Sequence, residues 1–196
     1  MEGPHDIEFL KRISSILSAD DPTLPNLAVM ERRGEPVFVP FGGGDLWLWV
    51  DRLAPLALPE FHLYDQESSP ESELRQRVAD TVNQRPGCRT VLTSKRSLEN
   101  YLHPAAVREV CGIELVFTDD DPVADLIAQR LYAHQDGVPW QELPCRTLTR
   151  RRNRVKKWLH TKAVDRMTPR RLAERDPHGE VASWLEIIAS LAGGSA

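Results

Sequence analysis

An α/β fold is predicted by three features of the sequence. Short apolar runs punctuated by proline and glycine alternate with longer segments whose apolar residues recur at helical spacing. That alternation is the pattern of a short parallel sheet covered by helices. The apolar runs end in acidic residues and loop formers, and open α/β sheets place their ligands beyond the carboxyl ends of strands. Beyond residue 118 the signals become helical only, so the chain divides into an α/β core over 1–118 and a basic helical C-terminal region over 119–196.

The first predicted element is a helix. Glu2 and Gly3 form a tight turn, Pro4 suits a first helical turn, and Ile7, Leu10, Ile13, Ile16 and Leu17 recur on one face. The helix stops near Asp20-Asp21-Pro22. Residues 36–40, an apolar run bounded by prolines, read as a strand. Phe41-Gly42-Gly43-Gly44-Asp45-Leu46 then permits a sharp turn into a helix carrying Leu48, Trp49 and Leu53. It lacks the Gly-Lys-Ser/Thr ending of a phosphate-binding loop, so it reads as a turn.

Residues 61–64 are the central strand, followed by Asp65-Gln66-Glu67 and the loop formers Ser68, Ser69 and Pro70. Residues i and i+2 of a strand point the same way, so Asp65 and Glu67 aim at one spot. Two hard oxygen donors side by side suit magnesium or manganese; the plainer reading is a solvated acidic loop. Residues 71–84 read as a helix with Leu74, Val78 and Val82 inward, and 88–93 as a further strand. Beyond that strand end, Glu99 takes a position like that of Asp65, and Lys95 and Arg96 supply charge that suits a phosphate. Residues 113–117 read as one more strand. Asp119, Asp120 and Asp121 precede Pro122 and read as an acidic helix start rather than a metal site. Helices are expected over 123–133, 149–164, 169–174 and 180–191, the last with Val181, Trp184, Leu185 and Ile188 on one face.

A chain of 196 residues, 41% hydrophobic and 28% charged, is long enough to bury a sizeable core. No apolar run has the length of a membrane span or the form of a secretion signal. Cys88, Cys111 and Cys145 are few and far apart, so neither a disulfide framework nor a zinc site is indicated. The expectation is a soluble, reduced, cytoplasmic protein with no membrane partner.

The net charge of −4 conceals an asymmetry. Residues 146–175 hold twelve Lys or Arg against Asp165 and Glu174 alone, while the remainder carries −14. A basic block on an acidic body indicates a polyanionic partner, with Arg151, Arg152 and Lys156 as candidate nucleic-acid contacts beside Lys95 and Arg96. On the helix around Val155, Trp158 and Leu159, Lys156 flanks the apolar face and Lys157 points largely away.

These motifs resemble a known family. Glu2-Gly3-Pro4-His5-Asp6 is similar to the Glu-Gly-x-x-Asp opening of a TOPRIM domain, the module of topoisomerases, primases and some nucleases. Asp65-Gln66-Glu67 resembles its Asp-x-Asp motif, with Glu in the second place. Lys95 to Leu102, containing Glu99-Asn100-Tyr101-Leu102, resembles the Arg-x-x-Glu-Asn-Tyr-Leu segment of nucleases of the OLD (overcoming lysogenization defect) family.

The resemblance implies a TOPRIM-like, Rossmann-like core of about four parallel strands, here with the first strand truncated. It implies metal-dependent cleavage of DNA, coupled to an ABC-type ATPase domain or subunit, for which this sequence carries no Walker motif. Two Mg2+ or Mn2+ ions would be held by Glu2, Asp6, Asp65, Glu67 and Glu99. Asp65 and Glu67 are assigned to one ion and Glu2 and Asp6 to the other, with Glu99 bridging or near the water. Glu2, Glu99 and Lys156 are the expected catalytic groups, Lys156 to offset transition-state charge. Two other readings stay open: a catalytically impaired remnant that binds nucleic acid or a partner, and an unrelated α/β domain whose acidic strand ends are structural. Assembly into a homo-oligomer is also left open.

Overall fold

Gly3 and Pro4 start the first helix, α1 (Pro4–Asp20), where Asp6 in the first turn returns its Oδ2 to the Gly3 backbone N–H at 2.7 Å. That bond satisfies one of the donors that every helix start leaves open. The structure, a computed structural model, describes residues 3–42, 46–66, 69–133 and 138–193. Helices α2 (Leu27–Arg32) and α3 (Leu46–Leu53) follow, then β1 (Glu60–Tyr64), α4 (Glu71–Asn83) and β2 (Cys88–Leu92). The rest is helical: α5 (Pro104–Cys111), α6 (Val123–Tyr132), α7 (Cys145–Trp158), α8 (Pro169–Arg175) and α9 (Glu180–Gly193). Gly112, in the left-handed region at φ 67°, ends α5, a conformation that costs a side-chain-bearing residue more.

The sheet is parallel, as expected, and among the described residues it has two strands. Glu60 lies opposite Cys88 and Tyr64 opposite Leu92, so both strands leave the sheet at the same edge. Two expected strands are not formed. Residues 113–117 alternate as a strand would, Leu115 and Phe117 buried while Val116 is 87% exposed, yet among the described residues no strand pairs with them. Side-chain alternation specifies two faces but supplies no ladder of hydrogen bonds. Residues 36–40 are irregular too, with Pro36 and Pro40 lacking the amide donors a ladder needs and Val37 84% exposed. The helix expected over 149–164 instead begins at Cys145, runs as α-helix to Trp158, and widens into a π turn over Leu159–Ala163.

One hydrophobic core joins the two parts drawn at 118/119. Phe9, Leu10 and Ile13 of α1 pack in the same cluster as Leu98 and Tyr101, Val155 and Leu159, and Trp184 and Leu185. Helices of the basic C-terminal region therefore share one core with the α/β part. A smaller cluster of Val50, Tyr64, Val78 and Val82 fills the space between α3, α4 and β1. Cys88, Cys111 and Cys145 are free thiols, and no helix among the described residues is long and apolar enough to cross a membrane.

Trp184 is fully buried and meets Tyr101 edge-on at 5.2 Å between ring centroids. Trp184→Ala should cost about 3–5 kcal/mol in urea denaturation. Val37→Ala, at an exposed position, should stay within about 0.5 kcal/mol of wild type.

Candidate functional site

The two strand exits are tied together at one edge. Thr93, just past β2, donates its N–H to Tyr64 O at 2.9 Å. Its Oγ1 accepts the Gln66 N–H at 2.9 Å and donates to Lys95 O at 2.6 Å. Asp65, the first residue after β1, accepts the Leu98 N–H on Oδ1 at 3.2 Å. This carboxylate caps the short 3-10 turn Leu98–Tyr101 that carries Glu99, so Asp65 and that turn are tied together beyond the same sheet edge.

Each residue of the Glu99-Asn100-Tyr101 segment has a distinct task. Asn100 accepts the Ser97 N–H on Oδ1 at 3.1 Å and donates Nδ2 to Thr118 O and Asp121 O, stitching the turn to the loop before α6. Tyr101 enters the core, and its hydroxyl donates to Glu180 at the start of α9. Glu99 is buried and faces the opposite way, toward α7 and α1.

His160, in the π turn after α7, is the residue that sequence reasoning missed. It is fully buried, with Nδ1 3.2 Å from Asp6 Oδ1 and Nε2 3.1 Å from Glu99 Oε1. Neither ring nitrogen is well aligned for a hydrogen bond, so these contacts act as ion pairs. Lys156 Nζ lies 3.4 Å from the same Glu99 oxygen. The signal was present in the sequence: a histidine at the apolar flank of a helix whose charged residues are all cations. A lone histidine carries no partner information, and its partners are 154 and 61 residues away.

The electrostatics follow from this geometry. Burial disfavours the charged form of His160, but the Glu99 and Asp6 carboxylates outweigh it and push the imidazole up to about 9. Burial likewise opposes ionisation of Glu99, yet His160 and Lys156 hold its carboxyl far below the usual range. Asp6 behaves in the same way, lowered chiefly by His160 against the effect of burial. At neutral pH the cluster is two carboxylates bridged by an imidazolium, with an ammonium at its rim.

Of the five expected metal ligands, Glu2 and Glu67 lie outside the described residues. Asp6 and Glu99 are brought together through His160, whereas Asp65 Oδ1 is held by the Leu98 backbone N–H of the turn that carries Glu99. Among the described residues no group of three or more His, Cys, Asp or Glu is disposed to hold a metal ion. The donor set nonetheless suits a hard divalent ion in kind: carboxylate oxygens, one of which, Glu99 Oε1, is buried without an aligned hydrogen bond.

Three expected nucleic-acid contacts have partners within the protein. Lys95 is buried and paired with Asp119 at 2.6 Å, because the loop before α6 folds back over it. Arg151 is buried with its guanidinium 4.6 Å from the Tyr132 ring centroid. Arg152 is exposed but paired with Asp125 of α6 at 2.7 Å. Arg96 is half-buried, and its guanidinium reaches Asp120 O at 3.3 Å. Asp119 and Asp121 brace this loop instead of starting α6: Asp121 accepts from Thr118, and Asp119 also pairs with Arg175 at 3.0 Å. Comparison with known protein families, curated proteins and solved structures finds no match.

The charged cluster should make stability depend on pH. The folded pKa of His160 lies above the ordinary 6.5, so its contribution is complete below that value and is lost as pH rises through about 9. Asp6 and Glu99, both lowered, contribute above the ordinary carboxylate pKa and lose that contribution as pH falls. Urea denaturation in chelator should show stability declining from pH 7 to 10. His160→Gln should remove that decline and cost about 3–5 kcal/mol at pH 7 by stranding two buried carboxylates. An unchanged alkaline slope in this variant would show that His160 is not the titrating group.

Proposed function

We propose that this chain is a TOPRIM-like nuclease of the OLD type that hydrolyses DNA phosphodiesters with the help of divalent metal, working with an ATPase domain or subunit. The observation that supports it is one convergence. Asp6 from the start of α1, Glu99 after β2 and Lys156 from α7 meet around His160, and Asp65 after β1 is hydrogen-bonded to the backbone of the turn that carries Glu99.

Asp6, Asp65 and Glu99 would hold magnesium or manganese together with Glu2 and Glu67. The metal would supply an activated water and stabilise charge on the attacking and leaving oxygens. The protein's own groups have assignable parts. The turn Leu98–Tyr101, locked by Asp65 and Asn100, holds Glu99 at a fixed place. Burial leaves Glu99 anionic but poorly hydrated, which strengthens its pull on any cation. Lys156, half-exposed at the rim, presents its ammonium to an incoming phosphate and offsets negative charge there. His160 supplies the countercharge that keeps Asp6 and Glu99 ionised and close.

A second reading rests on that same imidazolium. Because His160 already bridges two of the carboxylates, the domain would serve as a catalytically impaired module that binds nucleic acid or a partner. Incubation of the chain, alone and with an added ATPase partner, with plasmid DNA and millimolar Mg2+ or Mn2+ separates the two. The nuclease reading expects metal-dependent nicking or linearisation that Glu99→Gln abolishes and Lys156→Ala lowers about 100- to 1,000-fold, with both variants still folded by circular dichroism. No cleavage under any metal, with DNA binding intact, would select the binding module.

A further inference from the structure

Helix α7 sorts its cations by face. Arg151, Val155 and Leu159 point into the protein and are buried. Arg152 and Lys156, four residues apart, share one margin of that face, where they meet Asp125 and Glu99. Arg146, Arg150, Arg154 and Lys157 are all exposed, and among the described residues they make no ion pair. Their spacing of i, i+4, i+8 and i+11 places them within about an 80° sector of the helix surface, in steps of about 6 Å or less. The stripe is about 16 Å long. No Asp or Glu occurs anywhere in α7, so nothing on the helix neutralises it.

Its direction is set by the site. The Lys157 end leads into the π turn over Leu159–Ala163, whose His160 lies 3.2 Å from Asp6 in the first turn of α1. The stripe therefore runs along α7 toward the carboxylate cluster, with Lys156 one position from its end.

We propose that Arg146, Arg150, Arg154 and Lys157 form a track for the sugar-phosphate backbone of DNA, leading one strand to the Asp6–Glu99–Lys156 cluster. This rests on the nuclease reading for its direction but not for its chemistry. A straight, regularly spaced row of like charges matches a polymer with regularly spaced opposite charges. At 3.4 Å of axis per phosphate on one strand, the row spans about five phosphates. The opposite face of α7 is packed in the core, so the helix has no apolar side to lay into a lipid surface or a partner's groove. The chain outside residues 146–175 carries −14, which disfavours approach of a polyanion to most of the remaining surface.

The test measures binding apart from cleavage. Fluorescence anisotropy with a labelled 20-base-pair duplex, in chelator from 50 to 200 mM salt, compares wild type with R146Q/R150Q/R154Q/K157Q. A control variant, R32Q/R33Q/R77Q/R89Q, removes equal charge at exposed positions outside α7. The α7 variant should bind at least about tenfold more weakly at 100 mM salt and lower the salt slope by about 3 to 4, with little dependence on DNA sequence. The control should change the slope by less than about 1. Equal binding by wild type and the α7 variant overturns the track, as does an equal loss in the control, which would make the effect one of net charge. Wild-type binding to poly-glutamate but not to DNA overturns it in favour of an acidic protein partner. Chelator-phase binding that needs the stripe, without cleavage on adding metal, keeps the track and removes the nuclease. Cleavage undiminished in the α7 variant does the reverse.

Discussion

A protonated histidine buried between two carboxylates is the constraint on which the rest of this structure depends. His160 has no exposure to water, and its partners come from the first turn of α1 and from the turn after β2. Burying three charges is costly, and the mutual attraction of the groups offsets that cost only while all three are present and close. The triad thus acts less as added stability than as a registry device. It specifies how α7 docks on α1 and on the sheet edge at once, and any slip of one helical turn would strand a charge in the core.

Around that triad the polar bonds of the strand exits serve a positioning role. Thr93 ties the two exits together, Asp65 caps the turn that follows β2, and Asn100 fastens the same turn to the loop over 118–121. Small parallel sheets have little edge-to-edge stability of their own, and here two strands suffice because helices and loops close over them. The same bonds leave Glu99 with one direction to face, toward α7. Stability and site geometry are consequently served by the same residues, and a change that loosens the turn should be felt in both.

The basic block separates into groups that composition could not distinguish. Lys95, Arg151, Arg152 and Arg175 are internal struts, each held by a carboxylate, an aromatic ring or a backbone carbonyl. Arg146, Arg150, Arg154 and Lys157 are left on the solvent side of α7. A cation that has found a partner must loosen that contact to take up a phosphate, so the second group is available for an external polyanion at less cost than the struts.

Much of the fold was legible in the chain alone, because local patterns determine local structure. Helical spacing located α1, α4, α6 and α9, and apolar runs ending in Asp65 and before Glu99 located β1, β2 and their parallel exits. The candidate carboxylates were legible too, as acids at successive strand ends. Other features were not local. Residues 113–117 alternate like a strand, but a strand exists only if another backbone lies beside it. Arg151 and Lys157 look alike in the sequence, and only the packing of α6 against α7 decides which of them is buried. His160 is the clearest case: its ionisation depends on two groups far away in sequence. An isolated residue type records chemistry that is available, whereas the charge it carries and the partner it meets are set by the low-dielectric surroundings that only the folded chain creates.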